Sequence, residues 1–358
     1  MTDPPAKAHR NYQTVGLLLG PALFAALVMA PAPAGLTSAA WATAALAVLM
    51  ATWWATEALP LAATALLPLV MLPLLGITDI ASAAAPFANP LTFLFLGGFL
   101  IALAVQRWNL HRRIALHVLA HVGERRLHLI AGAMLATALL SMWISNTATT
   151  LMMLPIAASL VVVACGGFEP EGSDDSNFAT CMMLGIAYAA SIGGLATPIG
   201  SPPNALAASF LRQTFDIDIT FAAWMALALP VTIVMLPIAF LLLTRFAFPF
   251  ADHAASTKSA SVHDLLRAMG PISVPEMRVA AVFAAVAASW VLHPLIVGSN
   301  AITDAPIAIA GAIALFAIAA DWRSMTFLLD WITARDVRWE ILILFGGGLS
   351  LALAIDQT

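Results

Sequence analysis

LLSMWISNTATTLMMLP, residues 139–155, sets Ser141, Ser145, Asn146, Thr147, Thr149 and Thr150 inside an otherwise apolar run. Hydroxyls supply donors and acceptors, and asparagine adds an amide donor and a carbonyl acceptor. Such a cluster reads either as a turn or helix-packing hydroxyls, or as a binding site carried into a membrane. Residues 141–150 contain no glycine or proline, which a turn would favour. Five polar residues in positions 145–150 exceed what packing requires. A site is the expectation, and it calls for a membrane around it.

Composition supplies that membrane. The 358 residues are 61% hydrophobic and 9% charged, with a mean hydropathy of +0.94. Soluble domains are about one-quarter charged, so most of this chain is expected in lipid. The net charge of −4 gives no reason to expect nucleic acid as a partner. Cys165 and Cys181 form neither a CxxC motif nor a disulfide framework. Residues 1–14 are polar and carry no cleavable signal pattern, so they read as a cytoplasmic N-terminus.

Apolar runs at 15–31, 39–56, 61–76, 91–106, 129–144, 148–164, 178–210, 221–244, 279–297, 306–320 and 339–355 are the candidate spans. Several are shorter than the ~20 residues that cross a bilayer, and Gly/Pro-broken short segments are a transporter signature. Suppose that residues 127–164 form a re-entrant hairpin that returns to the side it left. Fourteen of the fifteen Lys and Arg then fall on the cytoplasmic side with the N-terminus, and only Arg212 falls outside. The resulting plan is a first membrane half at 15–247, a cytoplasmic linker at 248–278 and a second segment at 279–358. The first half holds the hairpin and a broken helix over 178–212. The polar stretch 251–277 reads as a mobile linker, and GGFEPEGSDDSN (166–177) as an acidic loop.

LTFLFLGGFLIALAVQRW (91–108) and ILILFGGGLSLALAIDQT (341–358) share seven of 18 positions at an offset of 250. The counted spans run in opposite directions through these copies, which predicts an inverted repeat with the site near its interface. The second copy covers 18 residues here. A complete protein is expected to continue for about a hundred more and to carry a second polar hairpin, as inverted repeats imply.

The second site candidate is SIGGLATPIGSPPNAL (191–206). Gly193, Gly194, Pro198, Gly200, Pro202 and Pro203 interrupt a long apolar helix, leaving Ser191, Thr197, Ser201 and Asn204 as its polar members. A kink needs one proline, whereas irregular backbone at membrane depth survives only where protein or a water-filled cavity buries it. No Asp or Glu lies mid-span, and Glu57 sits at a span end. Neutral oxygens suit Na⁺ better than a proton relay. His117 and His121, with His111, Glu124 and His128 nearby, could hold a metal. RWNLHRRIALHVLAHVGERRLH (107–128) reads instead as an amphipathic interfacial helix. Most tryptophans fall at span ends. Trp143 is the exception, and either packs or walls the site.

At these residues the chain resembles the divalent anion:sodium symporter family of dicarboxylate and tricarboxylate carriers. The resemblance rests on Ser145-Asn146-Thr147, TPIGSPPN at Thr197–Asn204, WWATEALP at 53–60 and the FLGGFLIALA/LFGGGLSLALA pair. It implies an all-α polytopic membrane protein, an inverted-repeat secondary transporter with re-entrant hairpin and broken helix, working as an elevator in a homodimer. It also implies that Ser141, Ser145, Asn146 and a backbone carbonyl near Gly194 hold Na⁺. Asn146, Thr147, Thr197, Pro202 and Asn204 would contact substrate.

The leading expectation is sodium-coupled uptake of a C4-dicarboxylate such as succinate across the cell inner (plasma) membrane, with lipid as surroundings. A sodium-independent exchanger, or a sulfate or citrate carrier, is the alternative. A membrane-embedded enzyme would need a nucleophile–base pair or metal ligands. No His, Asp or Glu lies near Ser145 in sequence, so the chain reads as a non-enzyme.

Overall fold

The computed structural model describes residues 11–123, 125–165, 172–217, 219–252, 262–296 and 304–358. The extreme N-terminus, residues 166–171 of the acidic loop, and residues 253–261 of the expected linker lie outside the described residues. The chain forms two compact units. One runs up to Phe93 and adds Arg338–Thr358, and the other is Leu94–Val337.

The first unit contains α1 (Asn11–Met29), α2 (Ser38–Thr56), α3 (Leu61–Thr64), α4 (Leu67–Leu74), α5 (Ile80–Ala84) and the start of α6 (Pro90–Arg107). The expected span 61–76 is therefore two short helices, parted at Ala65-Leu66. The closing helix of the chain (Trp339–Gln357) packs on that break. A Cβ on Gly347 would lie 2.0 Å from the Ala65 carbonyl oxygen, so only glycine permits the approach.

In the second unit, α6 leads to α7 (Leu110–Val122), where Asn109 takes a left-handed conformation at φ 56°. The expected helix over 107–128 ends early: Gly123, at φ 98°, stops α7, and Arg126 already belongs to α8 (Arg126–Ser141). A four-residue turn, 142–145, reverses the chain into α9 (Asn146–Cys165). At 16 residues α8 is about 24 Å long, short of a ~30 Å hydrocarbon core.

The hairpin packs against α10 (Ser173–Gly194), mainly through Ile130, Met134, Met182, Ile186 and Ala189. Its base is pinned by Arg126, whose Nη2 donates to Asp175 Oδ1 at 2.5 Å and to the Ala164 carbonyl at 3.2 Å. The break expected near 191–206 is present. α10 ends at Gly194, and α11 (Pro202–Phe215) starts on the proline pair. α12 (Phe221–Leu241) follows, continued by a π-helical turn to Ala247.

Within the polar stretch expected as a mobile linker, described residues form helices. α13 (Val262–Ala268) packs on α7, and α14 (Val274–Ile296) begins five residues earlier than read. Leu265 and Leu266 bury against the hairpin core. Arg113 holds both Glu276 oxygens at 3.1 Å and donates to the Gly270 carbonyl at 2.9 Å. α15 (Asp304–Ala317), a two-stranded antiparallel ribbon (β1 Ala319–Asp321, β2 Thr326–Phe327) and α16 (Trp331–Ala334) complete the unit. The ribbon is a small exception to the all-α expectation. The closing helix is α17 (Trp339–Gln357).

The repeat has a local geometric signature. Gly97 of α6 abuts the Ala308 backbone of α15, where a Cβ would come within 2.6 Å. Gly347 of α17, its counterpart, abuts the α3–α4 break in the same manner. Asp79 caps α5 through the Ser82 N–H, and Asp330 caps α16 through the Thr333 N–H, each just before its repeat helix.

Seven described helices are long and apolar enough to cross a membrane: α1, α2, α6, α10, α12 with its π turn, α14 to His293, and α17.

Candidate functional site

The turn 142–145 brings the hairpin tip against the break between α10 and α11. Thr197, fully buried, makes the first clasp: its hydroxyl donates to the Met142 carbonyl and accepts from the Gly200 N–H at 3.1 Å. Asn204 makes the second. Its Nδ2 donates to the carbonyls of Gly194 and Thr197, both at 2.8 Å. Helix C-termini leave carbonyls without N–H partners, and Asn204 serves the one at the end of α10.

Asn146 stands at the centre. Its carboxamide is oriented with Nδ2 toward Ser141 Oγ at 2.7 Å, the Ala190 carbonyl at 3.1 Å and the Gly200 carbonyl at 3.2 Å. The opposite orientation would face oxygen against oxygen. Ser141, fully buried, has one hydroxyl proton, which goes to the Ala190 carbonyl at 2.7 Å. The amide therefore has to be the donor to Ser141. Asn146 Oδ1 then makes none of these hydrogen bonds and keeps its lone pairs as an acceptor.

Two glycines make the close approach possible. A Cβ on Gly194 would sit 2.2 Å from the Asn146 amide. A Cβ on Gly200 would sit between the carbonyl oxygens of Gly194 and Ser141, at 2.6 and 2.9 Å. Those two carbonyls thus converge beside Gly200.

Four helix ends meet here. α8 and α10 contribute C-termini with exposed carbonyls, and α9 and α11 contribute N-termini. A helix carries about half a negative charge at its C-terminus and half a positive charge at its N-terminus. The carbonyl side suits a hard cation, and the α9 N-terminus suits an anion. The α11 N-terminus is less apt, because Pro202 and Pro203 have no N–H to donate. Neither 139–155 nor 191–206 contains Asp, Glu, His, Lys or Arg, so ligands here are held by neutral oxygens and dipoles.

The sequence-derived residues divide accordingly. Ser141, Asn146, Gly194, Thr197 and Asn204 are brought together, while Ser145 lies in the adjoining turn, where its hydroxyl accepts from the Ala148 N–H, and Pro202 opens α11. Thr147 is exposed at the tip. The hydroxyl protons of Thr149 and Thr150 return to the hairpin's own carbonyls, at Ile144 and Asn146. Trp143 packs rather than walls the site. It stacks with Phe221 and Trp290 and meets Phe283 edge-on, at centroid distances of 5.9, 6.3 and 4.9 Å.

The histidines of α7 do not converge. His117 Nδ1 engages the Arg113 carbonyl and His121 Nδ1 the His117 carbonyl, each one helical turn back. Burial holds His111 below the usual imidazole range. Its contact with the Val105 carbonyl opposes this, and the Arg112 charge adds to it.

The carbonyls of Ala190, Gly200 and Ser141 were not legible as site groups, since a backbone oxygen has no letter in a sequence. Beside Asn146 a groove of about 500 Å³ opens, lined by Tyr188, Ser191, Ile192, Leu195, Ser201 and the α12 residues Met235 and Ile238. Ser191 and Ser201 flank glycines and prolines already marked as a break, which was the one signal for them.

Residues 11–358 match the family model described as the sodium:sulfate symporter transmembrane region. The chain is 35% identical to the sodium-dependent dicarboxylate transporter SdcS of Staphylococcus saprophyticus, over 98% of this chain and 69% of that protein. It is 36% identical to SdcS of Staphylococcus aureus strain USA300, over 97% of this chain and 68% of that protein. Matched from α1 to its last residue, and carrying a hairpin docked into a broken helix, the chain belongs to the sodium:sulfate symporter family of multi-pass membrane transporters.

Proposed function

We propose that this protein couples inward movement of Na⁺ to uptake of a C4-dicarboxylate such as succinate. The observation that carries the reading is the junction of Ser141, Asn146, Gly194 and Gly200. It is rich in oxygen, has no carboxylate, and joins two helix C-termini to the α9 N-terminus. The relatives named as sodium-dependent dicarboxylate transporters support the same substrates.

Na⁺ sits among Ser141, Ser145, Asn146 Oδ1 and the Gly194 carbonyl, whose second lone pair is not used by Asn204. One carboxylate of the substrate lies at the α9 N-terminus, against Thr147 and the amides there. Each Na⁺ moved down 100 mV supplies about 2.3 kcal/mol, and several per dianion make transport electrogenic. The hairpin over 127–164 is re-entrant from the cytoplasmic side, and substrate moves by an elevator displacement within a homodimer. The N-terminus faces the cytoplasm across the plasma membrane, and the protein carries out no chemical step.

Succinate uptake into proteoliposomes tests the reading. It should collapse when choline replaces Na⁺, and Asn146→Ala should abolish it while expression is kept. Uptake indifferent to Na⁺, or an Asn146→Ala variant with native Na⁺ dependence, refutes it.

A further inference from the structure

We infer that Thr197 and Asn204 are positioning residues for the Na⁺ site and do not touch the substrate. The inference rests on the reading of Ser141, Asn146 and Gly194 as that site. To receive a carboxylate, a neutral side chain must offer an N–H or O–H. An amide nitrogen has two hydrogens and a hydroxyl has one. Both Asn204 N–H groups are spent, on the carbonyls of Gly194 and Thr197. The single Thr197 hydroxyl proton is spent on the Met142 carbonyl. Both residues are buried, Thr197 completely and Asn204 to 4% exposure, so no substrate reaches them without dismantling the turn.

Their bonds join specific parts. Asn204 ties the last carbonyl of α10 to the first turn of α11, closing the break between them into a loop. Thr197 ties that loop to Met142 in the hairpin turn and, through the Gly200 N–H, to the backbone beside Asn146. The Gly194 carbonyl and the Asn146 amide are the oxygen-bearing groups that this lattice orients. Removing either clasp leaves the ligand atoms in place chemically but frees their geometry. The loss should therefore fall on Na⁺ affinity.

The test compares wild type, Asn204→Ala, Thr197→Val and Thr197→Ser in proteoliposomes. Half-saturating Na⁺ is measured first, then half-saturating succinate at saturating Na⁺. Asn204→Ala and Thr197→Val should each raise the Na⁺ value at least tenfold. The succinate value should stay within twofold, and Thr197→Ser, which restores the hydroxyl, should return the Na⁺ value to within twofold of wild type. A raised succinate value at saturating Na⁺ with an unchanged Na⁺ value makes these residues substrate ligands and overturns the inference. So does no change in either value. If Asn204→Ala does not fold, Thr197→Val against Thr197→Ser decides alone, since valine conserves the volume of threonine. A wild type indifferent to Na⁺ removes the reading of the site itself, an outcome separate from a responsive wild type whose variants behave as ligands.

Discussion

Gly194→Ala adds a single methyl group where the structure leaves no space. Its Cβ would lie 2.2 Å from one amide atom of Asn146, 3.0 Å from Cγ and 3.1 Å from the other amide atom. To regain ordinary contact the amide must retreat by about 1 Å. That retreat breaks Nδ2 away from Ser141 Oγ and from the carbonyls of Ala190 and Gly200. Overpacking of this kind costs about 1–3 kcal/mol of stability. The Na⁺ site loses one correctly placed oxygen, Asn146 Oδ1. Valued as an interaction with a charge, that oxygen is worth about 1.5–3 kcal/mol, or about 10- to 150-fold in Na⁺ affinity. Initial rates of succinate uptake against external Na⁺ in proteoliposomes give the affinity change, and thermal unfolding in detergent confirms a folded protein. Gly98→Ala is the milder comparison, because its Cβ would approach nothing closer than Ile199 Cδ1 at 3.2 Å, with Cγ2 and Cβ at ordinary contact distances of 3.5 and 3.7 Å. A folded Gly194→Ala protein whose half-saturating Na⁺ stays within twofold of wild type refutes the proposed contact between Asn146 and the ion.

Two further outcomes concern the parts that hold the site. Arg126→Met leaves Asp175 unpaired at the hairpin base and should cost about 3–5 kcal/mol in detergent unfolding. Arg126→Met combined with Asp175→Leu should recover most of that, and a double variant as unstable as the single one would show that the pair is not what anchors the hairpin. Because burial lowers the pKa of His111, its neutral form is favoured in the folded state. Stability should be flat above about pH 6.5, decline as the unfolded state takes up the proton below it, and level off under the folded pKa. His111→Gln should remove that decline, and an identical pH profile in both proteins would dismiss His111 as its source.

The membrane class, the hairpin tip and the broken helix were legible because each leaves a mark in residue type. Apolar runs must be long to cross lipid. Ser145-Asn146-Thr147 is conspicuous among leucines and methionines, and three prolines with three glycines cannot continue a helix. The roles within the cluster were less legible. Thr149 and Thr150 look like site residues beside Asn146, yet a hydroxyl facing back along its helix bonds the preceding turn. Trp143 sits next to the site in sequence, but its ring turns to Phe221, Phe283 and Trp290, from helices 78 or more residues away. The stretch 251–277 has a linker's composition, yet Leu265, Leu266 and the Glu276–Arg113 pair fix part of it on α7 and the hairpin.

By itself the amino-acid sequence determined that this chain lives in a membrane, repeats, and carries two polar interruptions without a charge. Those properties follow from hydropathy and backbone permissiveness, which belong to each residue and its near neighbours. Tertiary structure alone decided which groups face each other across those interruptions. It placed the Ser141 hydroxyl and the carbonyls of Ala190 and Gly200 around one asparagine, and it committed the protons of Thr197 and Asn204 to bracing. A donor's role depends on the acceptor near it, and here that acceptor is most often a backbone oxygen, which no residue letter marks.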